Sequence, residues 1–157
     1  MIIGNRFTKF LSLGLVLLVM AIIFWFSSKD ASTSDTQSEG IVQTVAEVLE
    51  IPKTEENLLS LSFTVRTLAH FLEFTALGFL VFLFLCHFDN KTHQKFLLSL
   101  LWGVVYALSD EAHQLLSPGR TFQLVDLGVD TLGVMLGVLI SFISVIIIRS
   151  TLKKRTP

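Results

Sequence analysis

Three groups of ionisable residues sit inside otherwise apolar stretches, and their spacing is helical. Arg66, His70 and Glu73 stand at i, i+4 and i+7, which at 3.6 residues per turn is one helix face. Asp110, His113 and Gln114 share a second face, with Glu111 about 100° round from it. Asp126 and Asp130 are four apart on a third stretch. Between these lies Arg120, in a Ser-Pro-Gly-Arg turn whose Pro118 and Gly119 suit the central positions of a type II turn.

Histidine and carboxylates are the usual proton carriers, and burial moves a Glu or Asp toward a working proton affinity. Acid–base chemistry would make Glu73 or Glu111 the general acid or base, with His70 as partner. The guanidinium forks of Arg66 and Arg120 are shaped to clamp a phosphate or carboxylate. No recognised nucleophile motif accompanies them. Histidine and carboxylates also bind divalent ions, but the spacings match no standard metal motif, so neither metal nor cofactor is expected. The single cysteine, Cys86, has no partner and reads as packing.

The chain that must position these groups has 157 residues, 52% of them hydrophobic and only 16% charged. A soluble domain carries about 25% charged residues, so the composition argues for a membrane protein and excludes disorder. Four stretches reach the roughly 20 residues a spanning helix needs: about 10–26, 67–88, 96–116 and 125–148. The first is too long for the apolar core of a signal peptide and is followed by no clean cleavage site. The expectation is an all-α, four-span bundle forming one domain over residues 1–157.

Basic residues set its orientation. Arg6, Lys9, Lys91, Lys95, Arg149, Lys153, Lys154 and Arg155 fall on one side of such a bundle, eight of the twelve Lys and Arg. By the positive-inside rule both termini are then cytoplasmic. The outer loop, 29–65, divides in two. Residues 28–40 read as a solvated linker. Residues 41–51 place Ile41, Val45 and Val48, with Val42 and Leu49 slightly off line, on one face of a short amphipathic helix. Its Glu47 and Glu50 do not suit anionic lipid, so it reads as a cover on the other helices.

In this topology all of these candidate site groups lie near the outer ends of the spans, and the inner halves are almost uniformly apolar. An Asp or Arg at mid-membrane costs roughly 2.5–3.5 kcal/mol, less near the interface. These groups must therefore converge inward, pair, or line a pocket open to the outside. Gly133 and Gly137 are i+7 from Asp126 and Asp130, so the acidic face of the last span is also the face that lets a neighbouring helix approach closely.

The segments IIFWFSS, RTLAHFLEFTALGFL and SDEAHQLLSPGRTFQLVDLGVDTLGVMLG together resemble the VanZ-like family of bacterial membrane proteins. The resemblance covers nearly the whole chain. It implies a four-helix membrane domain with Arg66, His70, Glu73, Asp110, Glu111, Gln114, Arg120 and Asp126 at signature positions. Where the family commonly has an Asn before the glycine, this chain has Asp130 and Thr131 before Gly133. Founding members are associated with resistance to teicoplanin-type glycopeptides, which implies a role in the bacterial cell envelope.

Two functional readings follow. In one, Arg66, Arg120, Asp110, Gln114, Asp126 and Asp130 form an extracytoplasmic pocket for an anionic lipid or lipid-linked head group. In the other, Glu73, His70 and Glu111 catalyse a reaction on a lipid-linked envelope substrate. Against both stands plain scaffolding, with Arg66 paired to Asp110, Arg120 to Asp126, and Asp126 capping its helix. Transport ranks last, since the apolar inner half offers no polar path. The basic tail reads as a topogenic anchor rather than a nucleic-acid site.

Overall fold

The computed structural model describes residues 6–28, 31–116 and 123–155, with side chains described at 6–28, 39–116 and 123–152. Five helices account for most of it: α1 (Arg6–Ser27), α2 (Ala31–Val48), α3 (Glu55–Leu85), α4 (Thr92–Gln114) and α5 (Leu124–Arg155). The described residues contain no strand.

The principal pair is α3 with α5, and glycines set how closely the two approach. A Cβ on Gly137 would lie 2.7 Å from Phe79 N and 2.9 Å from the Thr75 carbonyl carbon, both backbone atoms of α3. On Gly133 it would meet Thr75 N at 3.2 Å. Only glycine lets the two backbones touch here, and that contact is within one chain. Below it, Phe74, Leu77, Val81 and Phe82 of α3 pack with Val134 and Val138 of α5, Ala107 of α4, and Val16 and Ile23 of α1, all buried.

Three helices are long and apolar enough to cross a membrane: α1, α3 and residues Leu124–Leu152 of α5. Their outward faces expose large apolar side chains such as Leu11, Leu18, Trp25, Leu72, Leu139 and Ile147, a surface that lipid, not water, would cover. The fourth expected span, α4, has 23 residues and packs on α5, α3 and α1. Its mean hydropathy is lowered by Lys95 in the first turn and by Asp110, Glu111, His113 and Gln114 at the end.

The two ends of the bundle differ in charge. At one end Lys9 Nζ lies 4.1 Å over the Phe88 ring, and Lys95 and Arg149 both act on Cys86. At the other, Ser28 Oγ stands 3.0 Å from His113 Nε2, and Gln123 N donates to Glu111 Oε2 at 3.0 Å. The buried carboxylates thus gather at one end, with Lys9, Lys95 and Arg149 at the other.

The expected outer loop is largely helical, which corrects the sequence reading in three places. First, α3 starts at Glu55 rather than near residue 67. Thr54 caps it by accepting from Asn57 N at 3.4 Å, and Glu55 and Glu56 in its first turn suit the positive end of the helix dipole. Second, the backbone of the supposed linker is helical from Ala31. Polar residues lower helix propensity by only a few tenths of a kcal/mol each, so a helix already formed by packing continues through them.

Third, the buried face of α2 is Val42 and Ala46, with Val45 at its edge, while Ile41, Val48 and Leu49 are exposed. Alanine, omitted from the apolar count, marks where α2 meets α3. The helix stops in a tight turn, in which Glu50 N donates to Glu47 O and Ile51 N to Ala46 O, with Glu50 at φ 54°. Lys53 then bonds back to Glu47 at 2.7 Å, and the ammonium holds that exposed carboxyl below the usual glutamate range.

Candidate functional site

Three helices deliver polar groups to one buried point. The glycine seam lets α5 carry Asp130, wholly buried, against His70 of α3. His70 Nδ1 and Asp130 Oδ1 are 3.5 Å apart. From the last turns of α4 comes Asp110, whose Oδ2 accepts from Gln114 Nε2 at 3.0 Å. One ligating atom from each of His70, Asp110 and Asp130 lies within 4.8 Å of the other two. Ser27, buried at the end of α1, is placed beside Asp110.

Glu111 is also fully buried and interacts with Asp110, Asp126 and Asp130. One of its oxygens accepts the Gln123 amide, so it satisfies a donor just before α5, where backbone N–H groups lack helical partners. Glu73, half-buried one turn beyond His70, is close enough to act on His70, Asp110 and Asp130. The site therefore holds several carboxylates and one imidazole in a space with little access to water.

The site is incompletely satisfied. Among the described residues His70 Nδ1, Asp110 Oδ1, Glu111 Oε1 and both oxygens of Asp130 are buried without a hydrogen-bond partner. Leaving one such polar atom unpaired costs about 1–3 kcal/mol, more for a charged group. A fold that gathers them gains something else from their presence.

His70 also borders a small cavity of about 30 Å³, lined by Phe63, Arg66, Thr67, Gln123 and Asp126. The cavity has room for a water molecule. It places Arg66 and Asp126 at a common opening beside the buried cluster. Asp126 is in the first turn of α5, where its charge also suits the helix dipole.

The expected site residues thus divide. His70, Asp110 and Asp130 share one focus, with Glu73, Glu111 and Gln114 around it, and Arg66 and Asp126 border the adjoining cavity. Arg120, with its pairing to Asp126, lies outside the described residues. His113 points elsewhere: it stacks on Phe24 with ring centroids 4.3 Å apart and ties the end of α4 to α1. The expected depth needs one correction, since Arg66, His70 and Glu73 lie in the middle of α3, whose first three turns extend past the cluster.

Sequence reasoning missed Ser27 and Gln123. Ser27 sits seven residues after Met20, whose carbonyl accepts from Tyr106 of α4, so only the α1–α4 packing turns it inward. Gln123 acts through its backbone, which no side-chain pattern reveals.

A family model described as VanZ/LLP1 matches residues 12–147, which takes in most of α1 and α5 and everything between. No curated protein matches the chain, and no solved structure does. The match covers most of the sequence, including every helix that contributes to the cluster, and on that ground the chain belongs to the VanZ/LLP1 family.

Proposed function

We propose that this is a multi-pass protein of the bacterial cell membrane, with an outward-opening polar site that binds the anionic head group of a lipid or lipid-linked envelope ligand. The observation that carries the reading is the cavity that Arg66, His70 and Asp126 line, with His70 in turn 3.5 Å from the buried Asp130. A guanidinium at the opening would receive phosphate or carboxylate. A role in glycopeptide susceptibility, teicoplanin included, belongs to the same proposal.

In this reading α4 is a fourth span. Its 23 residues would be about 35 Å long, enough for the hydrocarbon core, and its polar residues lie toward its two ends. Both termini are cytoplasmic, because the end bearing Lys9, Lys95 and Arg149 carries the bundle's basic excess. A C-terminal reporter active only in the cytoplasm checks this orientation.

The second reading, a membrane-embedded enzyme, is favoured by the meeting of the half-buried His70 with the buried Asp110 and Asp130, and by the buried Glu111 that interacts with both acids. Such sites arrange proton donors and acceptors away from bulk water. Glu73 or Glu111 would then serve as acid or base with His70.

Native mass spectrometry of gently extracted protein separates the readings, with wild type run beside Arg66→Ala and Glu73→Gln. Binding predicts an anionic lipid retained by wild type and Glu73→Gln and lost in Arg66→Ala. Catalysis predicts an altered lipid product that disappears in Glu73→Gln or Glu111→Gln while the protein stays folded. If all three proteins carry no lipid and only the variants are unstable, the cluster is scaffolding and both readings are withdrawn.

A further inference from the structure

The groups left without hydrogen-bond partners have a pattern. His70 Nδ1, Asp110 Oδ1 and both Asp130 oxygens come from three different helices and are all buried. An ordinary N–H···O hydrogen bond between His70 and Asp130 would be about 2.7–3.2 Å long, but the two atoms stand 3.5 Å apart. That separation is too wide for a good hydrogen bond. It does fit the edge of a coordination tetrahedron, because bonds of 2.0–2.2 Å put neighbouring ligand atoms about 3.3–3.6 Å apart.

We propose that His70, Asp110 and Asp130 hold a divalent metal ion, with Zn²⁺ the best fit, at the meeting point of α3, α4 and α5. One imidazole and two carboxylates form a mixed nitrogen–oxygen set, which suits a transition ion better than Mg²⁺ or Ca²⁺. The ion gives the unpartnered atoms their partners and offsets the negative charge of Asp110, Glu111 and Asp130, all of them buried. Gln114 Nε2, bonded to Asp110 Oδ2 at 3.0 Å, orients that carboxylate in the way an outer partner fixes a metal ligand. His70 reaches both the ion and the Arg66 cavity, which supplies the entry path.

Three protein ligands leave a coordination position for water or an oxyanion. An acidic interior by itself would repel the anionic head group proposed above; with an ion in place it would accept one. The inference deepens that reading and shares its site, yet the ion can be tested without any lipid.

The test uses the full chain in detergent, stripped with EDTA and titrated separately with Zn²⁺, Mn²⁺ and Mg²⁺. Calorimetry gives affinity and native mass spectrometry gives stoichiometry. The expected result is one Zn²⁺ bound per chain at micromolar free ion, tighter than Mg²⁺, with a rise in unfolding temperature that EDTA reverses. His70→Gln and Asp130→Asn should each weaken binding at least tenfold, while His93→Ala, on the exposed start of α4, leaves it unchanged.

Co²⁺ substitution provides a second readout, since a tetrahedral nitrogen–oxygen site gives visible absorption that His70→Gln should remove. Wild type that binds none of the three ions at micromolar concentration overturns the proposal. So does Zn²⁺ binding that survives in both His70→Gln and Asp130→Asn. Ion and lipid differ greatly in mass, so one spectrum distinguishes a lipid bound without an ion, which sinks only this inference, from an ion bound without a lipid, which sinks only the binding reading.

Discussion

Asp130 Oδ1 stands 3.5 Å from His70 Nδ1, and this relationship between α5 and α3 exists because Gly133 and Gly137 let the two backbones meet just beyond it. The glycines are one and two turns along from Asp130 on the same helix. Helix spacing and site geometry are therefore one quantity.

Gly137→Ala is expected to force α5 away from α3, because the added methyl meets backbone that cannot rotate aside. Overpacking of this kind costs about 1–3 kcal/mol. Thermal unfolding in detergent should show the loss. Gly128→Ala is the control: nothing lies within 4 Å of its Cβ position, and better helix propensity should raise stability by roughly 0.5–1 kcal/mol. Equal effects at both positions would refute the account of the seam.

Glu111 gives a contrast between two substitutions. Its Oε2 accepts from Gln123 N at 3.0 Å, and a hydrogen bond to a charged group contributes about 1.5–3 kcal/mol. Glu111→Ala removes the acceptor and should speed hydrogen exchange at the Gln123 amide and through the first turn of α5. Glu111→Gln keeps an acceptor and should leave that exchange near the wild-type rate. If the alanine variant protects Gln123 as well as wild type does, the bond has no role in holding α5.

At the end of α2, Glu50 holds φ 54°, a left-handed conformation that costs a side-chain-bearing residue roughly 1–2 kcal/mol. Glycine has no such cost but loses more entropy on folding. Glu50→Gly should therefore stabilise the α2–α3 turn by roughly 0.5–1 kcal/mol. Slower proteolysis between α2 and α3 would show it, and faster proteolysis would contradict it.

The exposed Glu47–Lys53 pair predicts a pH response with a definite sign. Lys53, 2.7 Å away, lowers the proton affinity of Glu47 in the folded chain. A depressed carboxylate adds stability that is present above its unfolded pKa and lost as pH falls through its folded pKa. The effect is small for an exposed pair. Carboxyl-carbon NMR should show Glu47 titrating below ordinary glutamates in wild type, and among them in Lys53→Ala. Identical titration in both proteins would dismiss the interaction.

The sequence by itself determined the helical class, three of the four expected apolar spans and the gathering of buried carboxylates toward one end, because these follow from periodicity, hydrophobic length and charge position. It also marked the packed face of α5, since Asp126, Asp130, Gly133 and Gly137 recur at helical intervals. The helix expected at 41–51 is there, as the end of α2 to Val48. Residues 31–40 and 55–65 are helical where a loop was expected, because weak helix propensities were overridden by packing such as that of Val42 and Ala46 on α3. What only the tertiary structure decided is the meeting of His70, Asp110 and Asp130. They are separated by 40 and 20 residues along the chain, so no local spacing links them. Their distance depends on how closely α3 and α5 approach and how far α4 extends past that contact, and those are properties of packing between helices.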